Sequence, residues 1–101
     1  MNKSKSIREV AVLWKEDKRQ YVKQSTISAY ALILENHILP KFGSKHQLSE
    51  KEVQDFTFQK LQEGLSQKTV KDILIVLKMI QKFGAKHELL PLVEWSVKFP
   101  A

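Results

Sequence analysis

The chain has no cysteine, which removes disulfide frameworks and thiolate metal sites from consideration. It has only three glycines and three prolines in 101 residues, too few for a loop-rich β fold or a disordered chain. Its apolar runs, Ile73 to Leu77 among them, are far too short to cross a membrane. The first residues, MNKSKSIRE, are polar and basic with no apolar stretch behind them, so no signal peptide is visible. A soluble cytoplasmic protein with no membrane partner is the expectation.

What is present fits one globular domain, with 43% hydrophobic and 28% charged residues. The net charge is +6 and unevenly spread. Residues 1–24 carry +4, 25–47 carry +1, 48–65 carry −2 and 66–101 carry +3. A basic domain with an acidic middle segment suits a polyanionic partner, although a lysine-rich surface alone also suits simple solubility.

Helical punctuation recurs four times. Ser6 and Glu9 form a capping box, followed by apolar Ile7, Val10, Ala11, Trp14, Tyr21 and Val22 at helical spacing. Ser25 is the expected N-cap of a second helix with a buried stripe of Ile27, Tyr30, Leu34, His37 and Ile38. Pro40 is expected to stop that helix, and Gly43 to let the chain turn. Ser49 and Glu52 form a second capping box, with Leu48 and Val53 as a hydrophobic staple. Val53, Phe56 and Leu61 face inward, and Gly64 closes the third helix. Ser66 opens the fourth, stapled by Leu65 and Val70, running through Ile73, Leu74, Leu77, Ile80, Gln81 and Phe83. Gly84 is expected to weaken its last turn. Pro91 and Pro100 bracket a Trp95-containing exit that reads as extended or loosely helical. No run alternates with period two over a convincing length, so the expectation is an all-α, four-helix domain.

No set of residues is placed for catalysis. His37, His46 and His87 are isolated from one another, and His37 reads as a satisfied core histidine. There is no glycine-rich phosphate loop and no nucleophile elbow. Glu50 and Glu52 sit in a first turn, where the helix dipole favours acids. No metal, cofactor or small-molecule substrate is expected.

The fourth helix carries the informative pattern. At 100° per residue, Lys78 and Lys82 fall about 20° either side of Lys71, and Lys68 about 60° away. Val70, Ile73, Leu77 and Ile80 gather opposite. The helix starts with Ser66, Gln67 and Thr69, short polar groups beside backbone N–H donors, a start suited to a phosphate. Asp72 is the only acid between Lys68 and Lys86, and Ile75 lies within the stripe. A solvated face is the plain alternative, but such faces usually mix signs. On the second helix Ser25, Thr26, Ser28 and Ala29 offer small residues and hydroxyls for close backbone approach.

The ordered motifs are STISAYALILENHILPKFG at 25–43, LSEKEVQDF at 48–56 and GLSQKTVKDILIVLKMIQKFGAKHELL at 64–90. Together they resemble the N-terminal SAM-like, or core-binding, domain of phage integrases and related tyrosine recombinases. The resemblance rests on Thr26, Tyr30, Pro40 and Gly43, a Leu-Ser helix start, and Lys68, Thr69 and Val70. It spans about residues 7–100. It implies a four-helix SAM-like bundle at 7–90 after a flexible basic N-terminus at 1–6, with 91–101 as a linker toward an absent catalytic domain.

The implied function is DNA binding for integration or excision, one half of a clamp on double-stranded DNA, with recombinase protomers as partners in a bacterial or phage-infected cell. Carried over by position, the DNA-facing residues are Ser25, Thr26, Ser28, Ser66, Gln67, Lys68, Thr69, Lys71 and Lys78, and the lysine stripe adds Lys82. Where family members often carry Arg or Lys after the helix-two Thr, this chain has Ser28, Ala29 and Ala31 and later Glu35, which moves the expected contact to the fourth helix. Lys3, Lys5, Lys18, Arg19 and Lys23 are expected to add backbone contacts from the flanks. The family's catalytic Arg, Lys, His and Tyr groups belong to a separate downstream domain. Tyr21 and Tyr30, on buried stripes, are poor nucleophiles, so no cleavage is expected of these residues. Two alternatives remain: a helical protein-interaction module without DNA binding of its own, and a helix-turn-helix regulator, for which the fourth helix is too long.

Overall fold

The Ser6 hydroxyl accepts from the Glu9 N–H at 3.2 Å, and the Ser6 N–H donates to Glu9 Oε1 at 2.9 Å. This capping box opens helix α1 (Ile7–Lys18), which buries Ile7, Val10, Ala11 and Trp14. The computed structural model describes residues 5–100, so Lys3, most of the expected N-terminal arm and Ala101 lie outside the described residues. The α1 periodicity stops sooner than the apolar spacing predicts. Arg19 is the C-cap and the chain turns at once, so the phase that placed Tyr21 on the buried face is lost and its side chain is 72% exposed.

The second helix departs from its sequence signals at both ends. Lys23, not Ser25, is the N-cap, and no side chain caps the helix. The Lys23 carbonyl accepts from the N–H groups of Thr26 and Ile27, which puts Ser25 inside the first turn. After α-helical Gln24–Ile33 the chain widens into a π-helical stretch, Leu34–Ile38, and closes with an α-helical turn, Leu39–Phe42. These three stretches together are α2 (24–42). Pro40 therefore does not stop the helix. A proline removes one N–H and its ring clashes with the carbonyl four residues earlier. The wider π turn, in which the Leu39 N–H reaches the Leu34 carbonyl, shifts that carbonyl register and lets Pro40 stand at the start of the last turn.

Helix α3 (Glu50–Gln62) opens on the second capping box, with Leu48 and Val53 both buried as a staple. It ends where Gly64 takes φ 101°. The Gly64 N–H bonds to Leu61 and the Leu65 N–H to Lys60, the paired bonds of a Schellman turn. Helix α4 (Gln67–Lys86) opens on Ser66 and buries Val70, Ile73, Leu74, Val76, Leu77 and Ile80. No strand occurs among the described residues.

The four helices close on one core. Trp14 of α1 is 1% exposed and packs against Tyr30 of α2, ring centroids 5.0 Å apart. Phe42 of α2 meets Phe56 of α3 at the same separation. Gly43 and Gly84 both sit where a side chain would collide. Gly43, the C-cap at which the chain turns, has ordinary helical dihedrals, and a Cβ there would lie 2.6 Å from the Leu39 carbonyl oxygen, so glycine fits against the backbone of the preceding turn. Gly84 is buried, and a Cβ would lie 2.6 Å from Leu90 Cδ1. Gly84 makes room for Leu90 to fold back.

The segment after Leu90 has no regular secondary structure, yet it is docked. Val93, Trp95, Val97 and Phe99 turn inward while Leu92, Glu94, Ser96, Lys98 and Pro100 are exposed. This is strand-like alternation, contrary to the expectation that the chain contains none. With no neighbouring strand, side chains take the backbone bonds. The Gln54 amide accepts from the Lys98 N–H and donates to its carbonyl, both at 2.9 Å, and Glu50 Oε1 accepts from the Ser96 N–H at 3.1 Å.

Two glycine-type positions make opposite predictions. Glu88 holds φ 58° after the α4 C-cap, a left-handed conformation that strains a side chain. Glu88→Gly is expected to raise stability by about 1 kcal/mol and Gly64→Ala to lower it by about 1 kcal/mol. Urea midpoints of both variants check this, and a lowered midpoint for Glu88→Gly would count against the strain.

Candidate nucleic-acid interface

Capping, register and packing together fix the outer face of α4. Ser66 Oγ accepts from the Thr69 N–H at 3.1 Å and donates to Thr69 Oγ1 at 3.0 Å. One of the donors expected to be free for a phosphate is thus used internally, leaving the Gln67 and Lys68 N–H groups in the first turn without an intrahelical acceptor. Val70 and Leu77, both fully buried, fix the rotation of the helix. Lys68, Lys71, Lys78, Lys82 and Lys86 all emerge exposed, and Ile75 among them is 57% exposed. The fourth-helix candidates Ser66, Gln67, Lys68, Thr69, Lys71, Lys78 and Lys82 therefore lie along one helix with exposed side chains.

This face is not bare on both sides. Residues 91–100 run along the flank marked by Gln67, Leu74 and Gln81. Gln67 Nε2 donates to the Pro100 carbonyl at 3.0 Å. The Trp95 indole N–H donates to Gln81 Oε1, and both residues are buried. The Lys71 ammonium stands 5.1 Å from the Phe99 ring centroid and the Lys78 ammonium 4.7 Å from that of Trp95. Lys68 instead turns to Asp72 at 3.2 Å, an exposed i, i+4 pair worth about 0.3–0.5 kcal/mol. Sequence reasoning missed this neighbouring segment; the alternation of Val93, Trp95, Val97 and Phe99 was the available signal.

On α2, Ser25 and Ser28 are exposed and Thr26 is half-buried. Ser28 Oγ accepts from Gln24 Nε2 at 3.4 Å. Of the flanking cations, Arg19 pairs with Glu16 at 3.2 Å while Lys23 caps α2 through its backbone.

The histidine on α2 is not the satisfied core residue expected. His37 is half-buried, and its Nδ1 is buried without a hydrogen-bond partner. Burial, and then the nearby Lys60 ammonium, hold its pKa below the usual 6.5, against the opposing pull of Glu63. Two glutamates lie low for the opposite reason: Glu9 through the Ser6 N–H it accepts, and Glu52 first through Lys45. Among the described residues no three His, Asp or Glu side chains gather as a metal site. Among the described residues no helix is long and apolar enough to cross a membrane.

Fold and face together define a small basic domain of four helices with a cationic outer surface on the last. The chain matches the family of the phage integrase N-terminal SAM-like domain over residues 6–68, and it belongs to that family. The match takes in α1, α2, α3 and the first residues of α4; Lys71, Lys78 and Lys82 lie beyond it. No curated protein and no solved structure matches the chain.

The lowered His37 pKa has a definite sign. The unfolded chain takes up this proton first, so stability is full above the ordinary value of 6.5 and declines as pH falls through that value toward the folded pKa. The urea midpoint is expected to drop between pH 7.5 and 5.5, and to drop less in His37→Gln. An equal drop in both proteins would remove His37 as the cause.

Proposed function

We propose that the chain is the DNA-gripping, core-binding module of a site-specific tyrosine recombinase. It would close on one side of the recombination-site duplex while a catalytic domain of the parent protein closes on the other. The observation that carries this reading is the row of exposed lysines on α4, held away from the core by buried Val70, Ile73, Leu77 and Ile80. Membership of the integrase family supplies the partner class, and the charge supplies the chemistry.

Binding would rest mainly on phosphates, with Lys68, Lys71, Lys78 and Lys82 as point charges and Ser66, Gln67 and Thr69 at the α4 start. Ser25, Thr26 and Ser28 would add hydroxyl contacts from α2. Ile75 stands where it can meet a thymine methyl. In this reading residues 91–101 lead toward the catalytic domain, and the cutting chemistry lies outside this module. Affinity of the module by itself would be modest, because a clamp's second half supplies effective concentration.

Neutralising about three to five phosphates gives a slope of log affinity against log salt of about −3 to −4.5. Fluorescence anisotropy on a mixed-sequence duplex from 25 to 200 mM salt measures this. Lys71→Glu with Lys78→Glu is expected to weaken binding at least tenfold with an unchanged far-UV spectrum. Unchanged affinity in that variant would sink the α4 assignment. Absence of binding by the parent domain at the lowest salt would instead favour a protein-interaction module.

A further inference from the structure

We propose that Phe99 and Trp95 are positioning residues for the phosphate-binding face, each ring holding one lysine of α4 in place. The duplex backbone would then be met by one composite surface, α4 together with residues 91–100. This rests on the DNA-binding reading above and adds to it residues that neither the family match nor the helical wheel contains.

The geometry pairs the two elements twice. Lys71 and Lys78 are two helical turns apart on α4, and Phe99 and Trp95 are four residues apart on the extended segment. Four residues of extended chain cover about 13 Å and seven of helix about 10 Å, spacings close enough for both pairs to form. The two elements run in opposite directions, so Phe99 lies under Lys71 and Trp95 under Lys78. Both lysines remain exposed, so each ammonium has N–H bonds free for a phosphate while its other side faces the ring.

The rings are themselves fixed. Trp95 is 7% exposed and its indole N–H is held by Gln81. An indole nitrogen only donates, so the Gln81 atom facing it is the oxygen. Phe99 lies between two anchored backbone positions, Lys98 on Gln54 and Pro100 on Gln67. A lysine otherwise samples many rotamers, and ordering it on binding costs affinity. A lysine already held on a fixed ring has lost part of that freedom in the unbound protein. Lys68 and Lys82 have no ring contact of this kind among the described residues.

The test compares the whole chain with Phe99→Leu and Phe99→Tyr. Phe99 is only half-buried, so leucine keeps apolar cover and removes the aromatic face. Proton NMR follows the Lys71 ε-methylene, which a ring beneath it shifts upfield. Anisotropy follows affinity for the mixed-sequence duplex. Phe99→Leu is expected to abolish the upfield shift and weaken binding about two- to fivefold, the size of an exposed cation–π contact, while Phe99→Tyr keeps both. Wild-type affinity in Phe99→Leu with the shift lost would overturn the positioning role and leave the DNA-binding reading intact. A parent domain that shows the shift but binds no duplex at low salt would overturn both. Trp95→Phe is the second probe: it keeps a ring under Lys78 while removing the bond to Gln81, and is expected to retain most of the affinity if its melting curve shows it folded. A folded Trp95→Phe with binding as weak as Lys78→Gln would count against a role for the ring.

Discussion

Ile7, the first residue of α1, is fully buried, and that constraint organises the molecule. The first turn of any helix presents N–H groups with no acceptor inside the helix, and burying them unpaired costs about 1–3 kcal/mol each. Here Ile7 has no exposed surface, so water is not an available partner. The acceptors come from the ends of other helices. Ile7 and Arg8 donate to the carbonyls of Lys45 and Gly43 at 2.8 and 2.9 Å, and Lys5 donates to Leu89 at 2.9 Å. The positive end of α1 thus meets the chain leaving α2 and α4, where carbonyls are in surplus. Gly84 makes room for the turn that presents Leu89. The helical extension past Pro40 has the same origin, because Phe42, fully buried against Phe56, must be carried far enough to bring Gly43 to Arg8.

A similar economy of partners explains the docked segment. An isolated extended chain leaves its backbone groups unpaired on both edges. Residues 91–100 have no neighbouring strand, and Glu50, Gln54 and Gln67 act in its place, bonding Ser96, Lys98 and Pro100 at two-residue intervals. Glu50 and Gln54 can do this because four residues on a helix make one face. The opposite result of the same alternation is that Trp95 joins the core cluster. The segment is therefore structural on its inner face and borders the lysine row with its aromatic rings.

How much of this was legible follows the range of each cause. Ser6, Ser49, Ser66 and Gly64 act within five residues, and each does what its local pattern says. The lysine row was legible because 100° per residue needs no knowledge of the rest of the fold. Pro40 was misjudged because a π turn, which no local propensity announces, absorbed it. Ser25 lost its capping role because the chain from Arg19 to Lys23 turns tightly and enters α2 two residues early. Tyr21 continued a spacing whose helix had already ended. The docked segment depends on partners 44 residues or more upstream for two of its bonded positions, beyond the reach of any window along the chain.

The charge asymmetry can now be given a structural cause. The acids of α3 are mostly spent inside the domain. Glu52 takes Lys45 and the Ser49 N–H, Glu50 takes Ser96, Asp55 takes Lys51 at 2.9 Å, and Glu63 takes Lys60 at 3.2 Å. On α4 the only ion pair among the described residues is Lys68 with Asp72. The two helices are adjacent in sequence and in space, and α4 carries five lysines against the single acid Asp72. Isolated surface charges are screened within about 8 Å at physiological salt, whereas several on one helix face add to a common field. Lysine partners offset three of the four acids on and just after α3, so on the outer face of α4 the exposed lysines set the sign of the local field.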